Sequence, residues 1–365
     1  MTNSKKAVKN KLKRNRVSNS QNGELRLFED NSSPVIVTKI PTPESPATRI
    51  FVPPKGLNHQ KSFQQLGVLD WREENQPKAA STGDIVNKII CSDSKLALQI
   101  LPENSVHCII TSPPYWNVVD YGFDGQLGQC SYEQYLSQLL EVWRECERVL
   151  LPNGKLCIIT PIMPISKKVI TEQHTRHLKN LNNDIEAVIL NNLNLKRYSL
   201  YIWQKQTTEK MFGSYPYPPN IYEQNTVEFI NVLVKDGKPR QIEQEIKDAS
   251  KLNEKEWMDL TRQIWPLYPE DVKRVNHPAP FPVSLPNRLI AMYTFARCRN
   301  EKVSYEGDIV LDPFCGAGAT CVAAKNLGRN YIGIDLSPEF CVFAGENIRK
   351  TLFTGKIFLI NNAKG

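Results

Sequence analysis

Short apolar runs alternate with helix-period stretches along this chain, and the regular pattern is expected to begin near Ile85. Runs at 86–91, 106–110, 156–159, 198–203, 229–234 and 331–334 read as strands. Between them, Ser131 opens a helix with Gln134 at the capping-box position. The apolar face expected for that helix is Leu136, Leu139, Leu140, Trp143 and Leu150. Further helices are expected after Asp93, through Ile185, Val188, Ile189 and Leu193, and from Asn287 to Arg297. Strands alternating with helices predict an α/β domain, doubly wound, with a mainly parallel sheet. The expected division is a basic, partly disordered extension over 1–83 and a catalytic domain over 84–365.

Composition narrows this picture. The 365 residues are 41% hydrophobic, enough for a sizeable core. The formal charge is +8, which favours a polyanionic partner. Residues 1–16 carry Lys5, Lys6, Lys9, Lys11, Lys13, Arg14 and Arg16 without an acid, which suits nonspecific phosphate contact or a plain solvated tail. Residues 17–83 are punctuated by proline and serine, with a short strand expected at Val35–Val37. Nine scattered cysteines without a Cys-x-x-Cys pair, and five histidines, form no recognisable metal constellation. A reduced, cytoplasmic setting is expected. No apolar run reaches the ~20 residues of a membrane helix.

Two stretches carry chemistry. The first is Thr111-Ser112-Pro113-Pro114-Tyr115-Trp116, directly after a buried-strand pattern. Neither proline has an N–H for a ladder, so the strand must stop and expose the residues after it. A hydroxyl, an unpaired carbonyl and flat rings can hold a planar base by its amino group. They can equally be a turn packed by aromatics. The second stretch is Val310-Leu311-Asp312-Pro313-Phe314-Cys315-Gly316-Ala317-Gly318-Ala319-Thr320, a strand, a glycine turn and a helix start. Its glycines let the backbone approach a ligand, and Asp335, about 20 residues on, closes the next strand where an acid can take ribose hydroxyls. A nicotinamide site would want a third glycine where Cys321 stands.

Together these stretches resemble the S-adenosylmethionine-dependent amino methyltransferases of DNA, in the circularly permuted group that places the catalytic motif before the cofactor motif. His277-Pro278-Ala279-Pro280-Phe281-Pro282, Arg148-Val149-Leu150-Leu151-Pro152-Asn153-Gly154-Lys155-Leu156 and Leu327-Gly328-Arg329-Asn330-Tyr331-Ile332-Gly333 agree, so the resemblance spans residues 86–350. One departure is visible: where the family commonly shows Gly-Ser-Gly-Thr-Thr, two hydroxyls are missing at Ala317 and Ala319.

The resemblance implies S-adenosyl-L-methionine as cofactor, held by Asp312, Phe314, Gly316, Gly318, Asp335 and Phe281. Asp93 is a candidate to face its adenine, and is as good a helix N-cap. Ser112, Pro113, Pro114 and Tyr115 become the catalytic set, with Ser112 and the Pro113 carbonyl holding the amino hydrogens and Tyr115 stacking on an extruded base. Family members with serine before Pro-Pro-Tyr usually act on cytosine N4, and those with aspartate on adenine N6. The expected activity is site-specific methylation of cytosine N4 in double-stranded DNA, beside a separately acting restriction endonuclease. Adenine methylation, an RNA substrate and a noncatalytic nucleic-acid-binding role are the alternatives.

Target recognition is expected within 161–276. That interval holds a basic patch (Lys167, Lys168, Arg176, Lys179) with His174 and His177, and an aromatic-proline loop from Met211 to Pro219. Asp120-Tyr121-Gly122-Phe123 reads as a flap.

Overall fold

The computed structural model describes residues 59–72, 77–116, 127, 128, 130–164, 178–207, 210–219, 221–269 and 281–353, and the backbone of 25–27 and 35–37. Outside them lie the basic arm, the flap at 120–123, most of the basic patch with both its histidines, and His277 to Pro280. The chain divides into two compact units, Met1–Ala47 with Asn361–Gly365, and Thr48–Ile360. In the first, Leu25–Leu27 and Val35–Val37 pair antiparallel.

The second unit is organised by one mixed sheet. Its ten described strands are β1 (Val68–Asp70), β2 (Lys88–Cys91), β3 (Val106–Thr111), β4 (Leu150–Pro164), β5 (Leu178–Asn180), β6 (Leu195–Lys205), β7 (Val227–Lys235), β8 (Ile264–Leu267), β9 (Ile309–Asp312) and β10 (Asn330–Asp335). Across the sheet the order is β8, β6, β7, β4, β3, β9, β10, β2, β1, and β5 pairs with the far end of β4. From β4 to β1 every pairing is parallel, as is β6 with β8. β7 runs antiparallel between β4 and β6. This is the mainly parallel α/β architecture that the alternation predicts.

The described helices are α1 (His59–Leu66), α2 (Thr82–Ile85), α3 (Ser94–Ile100), α4 (Tyr132–Val149), α5 (Leu181–Asn192), α6 (Gln244–Ala249), α7 (Glu254–Leu260), α8 (Ser284–Tyr293), α9 (Ala319–Asn326) and α10 (Pro338–Lys350). They cover both sides of the sheet, which is why the central strands are apolar at consecutive positions. Val106 and Ile109 of β3, with Ile309 and Leu311 of β9, enter one core under Leu98, Leu139, Trp143 and Ile189. Cys108, Ile110 and Val310 point the other way, into a core with Leu285, Leu289, Ala319 and Ala323.

Three local differences from the expected pattern have physical causes. The α/β region starts at α1, not near Ile85, because β1 pairs in parallel with β2 and brings residues 59–72 onto the sheet edge. Helix α4 has the expected capping box, with Ser131 and Gln134 bonding reciprocally. Its buried face is rotated from the expected one: Tyr132, Tyr135, Leu139, Val142, Trp143, Cys146 and Val149 are buried, while Leu136 and Leu140 are half-buried. Helix α8 covers Ser284–Tyr293 and stops before Arg297, since the Thr294 hydroxyl closes on the Ile290 carbonyl at 2.5 Å and the backbone turns extended.

Candidate active site

β3 and β9 are hydrogen-bonded neighbours, with Cys108 opposite Val310 and Ile109 opposite Leu311. They run parallel, so the loops after Thr111 and Asp312 leave the same edge of the sheet side by side. From β3 the chain moves to β4 on one side; from β9 it moves to β10 on the other. Such a reversal opens a crevice at the carboxyl ends of the strands, where α/β folds take ligands. The two chemical stretches, about 200 residues apart in sequence, meet there.

The glycine turn is held by two acids. Asp312 is fully buried. Its Oδ1 accepts from the Thr111 hydroxyl at 2.7 Å and the Phe314 N–H at 3.1 Å, and its Oδ2 from the Thr320 hydroxyl at 2.7 Å. Burial pushes its carboxyl up to about 6, against the pull of these bonds. Asp312 therefore clasps β3, the turn and α9 together. Asp335, at the end of β10, accepts from the Gly316 N–H at 2.8 Å and the Ser337 N–H at 2.9 Å. Burial of its carboxyl raises it to about 6 as well, although the residue keeps some exposure. Gly318 caps α9 with φ +82°, and a Cβ there would lie 2.9 Å from the Ala344 Cβ. Only glycine satisfies both demands.

The remaining cofactor-side candidates divide. Phe314 packs edge-on to Trp143, centroids 6.1 Å apart, and Phe281 joins the core under α8. Asp93 is the N-cap of α3, accepting from the Leu96 N–H at 3.0 Å. Next to it, Ser94 donates to the Pro313 carbonyl at 2.5 Å, which ties the end of β2 to the turn. Ala317 and Ala319, where two hydroxyls are missing, are each 8% exposed. Cys315 packs under the turn, and burial lifts its thiol well above the usual range, which disfavours the thiolate form.

The Ser-Pro-Pro-Tyr loop is equally fixed. The Tyr135 hydroxyl of α4 donates to the Pro114 carbonyl at 2.8 Å, and the Trp116 indole to the Cys130 carbonyl at 2.8 Å. Trp116 meets Tyr132 edge-on at 5.0 Å. The Ser112 and Tyr115 hydroxyls lie 2.8 Å apart, and Tyr115 reaches Oε2 of Glu228 on β7 at 3.3 Å. Lys205, the last residue of β6, pairs with the other oxygen of Glu228 at 2.6 Å. Tyr115 is only 7% exposed, so its ring presents little open face, while its hydroxyl contacts both Ser112 and Glu228. Tyr135, Glu228 and Lys205 are absent from the sequence-derived set. Tyr135 was readable as an α4 position; nothing in the sequence links Glu228 to a loop 113 residues earlier.

A serine loop and a glycine turn at one crevice agree with the comparison to known families. The DNA methylase model for N6 and N4 amino methylation matches residues 106–346. The chain belongs to this DNA methylase family. It is 29% identical over 280 residues to the type II methyltransferase M.MthZI of Methanothermobacter thermautotrophicus, covering 69% of this chain and 74% of that one. Among solved structures, TTHA0409 of Thermus thermophilus, a candidate DNA modification methylase complexed with S-adenosyl-L-methionine, is 30% identical. That match has a TM-score of 0.58 and covers 73% of this chain and 95% of that one. The PvuII cytosine-N4-specific DNA methyltransferase, 18% identical, shares the fold with a TM-score of 0.52, over 76% of this chain and 87% of its own. The protein is thus a DNA methyltransferase of the N6/N4 family. Among the described residues, no helix is long and apolar enough to cross a membrane and no cluster of His, Cys, Asp or Glu could hold a metal ion.

Proposed function

We propose that this methyltransferase modifies the N4 amino group of cytosine within a short sequence of double-stranded DNA, alongside a restriction endonuclease acting separately. The observation that carries the reading is the placement of Ser112 at the end of β3, beside the glycine turn after β9. S-adenosyl-L-methionine is the cofactor, and it supplies an electrophilic methyl group on its sulfonium. Its fit rests on the turn itself: Gly316 and Gly318 have φ of +48° and +82°, and the carboxylate of Asp335 stands at the adjoining strand end. In this reading Gly316, Gly318, Phe314 and Phe281 shape the cofactor pocket, and Asp335 takes the ribose hydroxyls. Asp93 lies on its adenine side, and Asp312 keeps the turn in shape.

The amino nitrogen of cytosine is a poor nucleophile because its lone pair is delocalised into the ring. Ser112 and the Pro113 carbonyl accept its two hydrogens and favour a pyramidal nitrogen whose lone pair is localised. Tyr135 takes the Pro114 carbonyl, and among the described residues no hydrogen bond is made to the Pro113 carbonyl. The new N–C bond forms as the C–S bond breaks with its electron pair going to sulfur, and the surplus proton leaves the nitrogen for water. Holding both partners in line is the larger part of the acceleration. The base must leave the duplex, since its amino group is paired and its faces are stacked.

The choice of cytosine rests on serine standing before Pro-Pro-Tyr. The test is to incubate the protein with labelled cofactor and unmethylated DNA and identify the labelled nucleoside. N4-methylcytosine is expected. Label in N6-methyladenine overturns the base assignment, and label in 5-methylcytosine overturns the mechanism.

Target recognition belongs to 161–276 in this reading, and the aromatic-proline loop supports it. β6 runs parallel to β4, and hence to β3, so the loop between β6 and β7 leaves the sheet at the Ser112 edge. Met211, Tyr215, Tyr217 and Ile221 are each about three-quarters exposed there. Ring stacking on bases contributes roughly 1–3 kcal/mol each. Changing Tyr215 and Tyr217 together to alanine is expected to raise KM for DNA about tenfold or more, with cofactor affinity unchanged. Steady-state kinetics at varied DNA concentration decides it, and an unaltered KM removes the loop from the DNA interface.

A further inference from the structure

The Ser112 hydroxyl is one end of a chain of polar groups. Its Oγ lies 2.8 Å from the Tyr115 hydroxyl, which lies 3.3 Å from Oε2 of Glu228. Oε1 of Glu228 meets the Lys205 ammonium at 2.6 Å. The Glu228 and Lys205 side chains are 8% and 19% exposed, so the pair is shielded from water. It sits where β6 ends and β7 begins, with Glu228 opposite Trp203 in the ladder.

The direction of each proton along this chain follows from chemistry. Lysine can only donate, and a carboxylate facing an ammonium can only accept. The single O–H of Tyr115 therefore points to Glu228. Its oxygen then accepts the proton of Ser112. This leaves Ser112 Oγ with lone pairs to offer and no proton, which is the polarity an amino group needs.

We propose that Glu228 and Lys205 are positioning residues that set the Ser112 hydroxyl as an acceptor, through Tyr115. The proposal rests on the reading of Ser112 as the acceptor for the amino group. It goes beyond that reading by assigning the polarity of the hydroxyl to two residues outside both motifs. A serine free to rotate would spend part of its time presenting its proton to the amino group, where donor meets donor.

Glu228→Gln tests this with little change of shape. Lys205 still demands an acceptor, so the amide oxygen faces it and the NH2 turns to Tyr115. The Tyr115 oxygen now accepts, its proton goes to Ser112, and Ser112 is left donating towards the substrate. The whole chain is reversed. The expected result is a fall in kcat of about tenfold or more, with KM for DNA and calorimetric affinity for S-adenosylmethionine little changed. In a Tyr115→Phe background the chain is already cut, so Glu228→Gln should add nothing. A purely structural ion pair would instead cost the same factor in both backgrounds, and that result overturns the proposal, as does full kcat in Glu228→Gln. Tyr115→Phe alone leaves the Glu228–Lys205 pair intact and reports even where Glu228→Gln does not fold; full kcat there also overturns it. Ser112→Ala separates the two levels. Slow turnover in Ser112→Ala with full turnover in Glu228→Gln removes the polarity-setting role alone. Full turnover in Ser112→Ala removes the reading of Ser112 and this proposal with it.

Discussion

Replacing Ser112 by alanine is expected to slow methyl transfer about 10²-fold or more, equivalent to roughly 2.7 kcal/mol of barrier. The loss should fall on kcat. The Ser112 hydroxyl bonds with Tyr115 and not with the glycine turn, so affinity for S-adenosylmethionine should hold. The loop should also keep its shape, since Tyr135 still holds the Pro114 carbonyl and Tyr115 still reaches Glu228. What disappears, in the proposed complex, is one acceptor for an amino hydrogen, which matters most while the nitrogen turns pyramidal. Single-turnover measurement with labelled cofactor separates this step from product release. Full turnover in the variant would reduce Ser112 to a turn residue. The size of the expected effect resembles that of deleting one preorganised hydrogen-bonding group elsewhere.

Much of this site was legible in the sequence because it is written locally. A double proline ends β3 wherever that strand sits, and a strand, glycine turn and helix can be read within a dozen residues around Gly316. The capping box of α4 is likewise a four-residue signal, and it forms as read. The parts that were not legible depend on distance. Glu228 lies in a strand pattern whose neighbouring residues are apolar, and nothing near it shows that its carboxylate meets Tyr115 and Lys205. Tyr135 occupies a buried helix position, where an aromatic ring reads as core; its use is the hydroxyl at the far end. Residues 59–72 join the sheet through a three-residue strand, too short to show a period. Asp312 shows how a motif residue can carry an indirect duty. Its carboxylate is consumed by Thr111, Thr320 and the Phe314 N–H, so its effect on a ligand passes through the geometry of the turn.

Asp335→Ala is expected to weaken S-adenosylmethionine binding about 10²-fold, close to 2.7 kcal/mol. Hydrogen bonds to a charged group contribute roughly 1.5–3 kcal/mol each, and Asp335 is placed to serve two purposes at once. It accepts the Gly316 N–H, which fixes the glycine turn, and in the proposed complex it takes the ribose hydroxyls. Alanine removes both. The acceptor strength of Asp335 depends on its charge, and burial has raised its carboxyl to about 6. Binding that favours the ionised form is fully present above that value and is lost as pH falls through it. Cofactor affinity should therefore be flat above about pH 6 and decline below it. The slope should shrink in Asp335→Ala, leaving what Asp312, also raised to about 6, contributes through the turn. Calorimetry across this range, with folding checked at each pH, reads both effects. An Asp335→Ala protein that folds and binds with unchanged affinity would remove Asp335 from the cofactor site and leave it as the tether of Gly316 and Ser337.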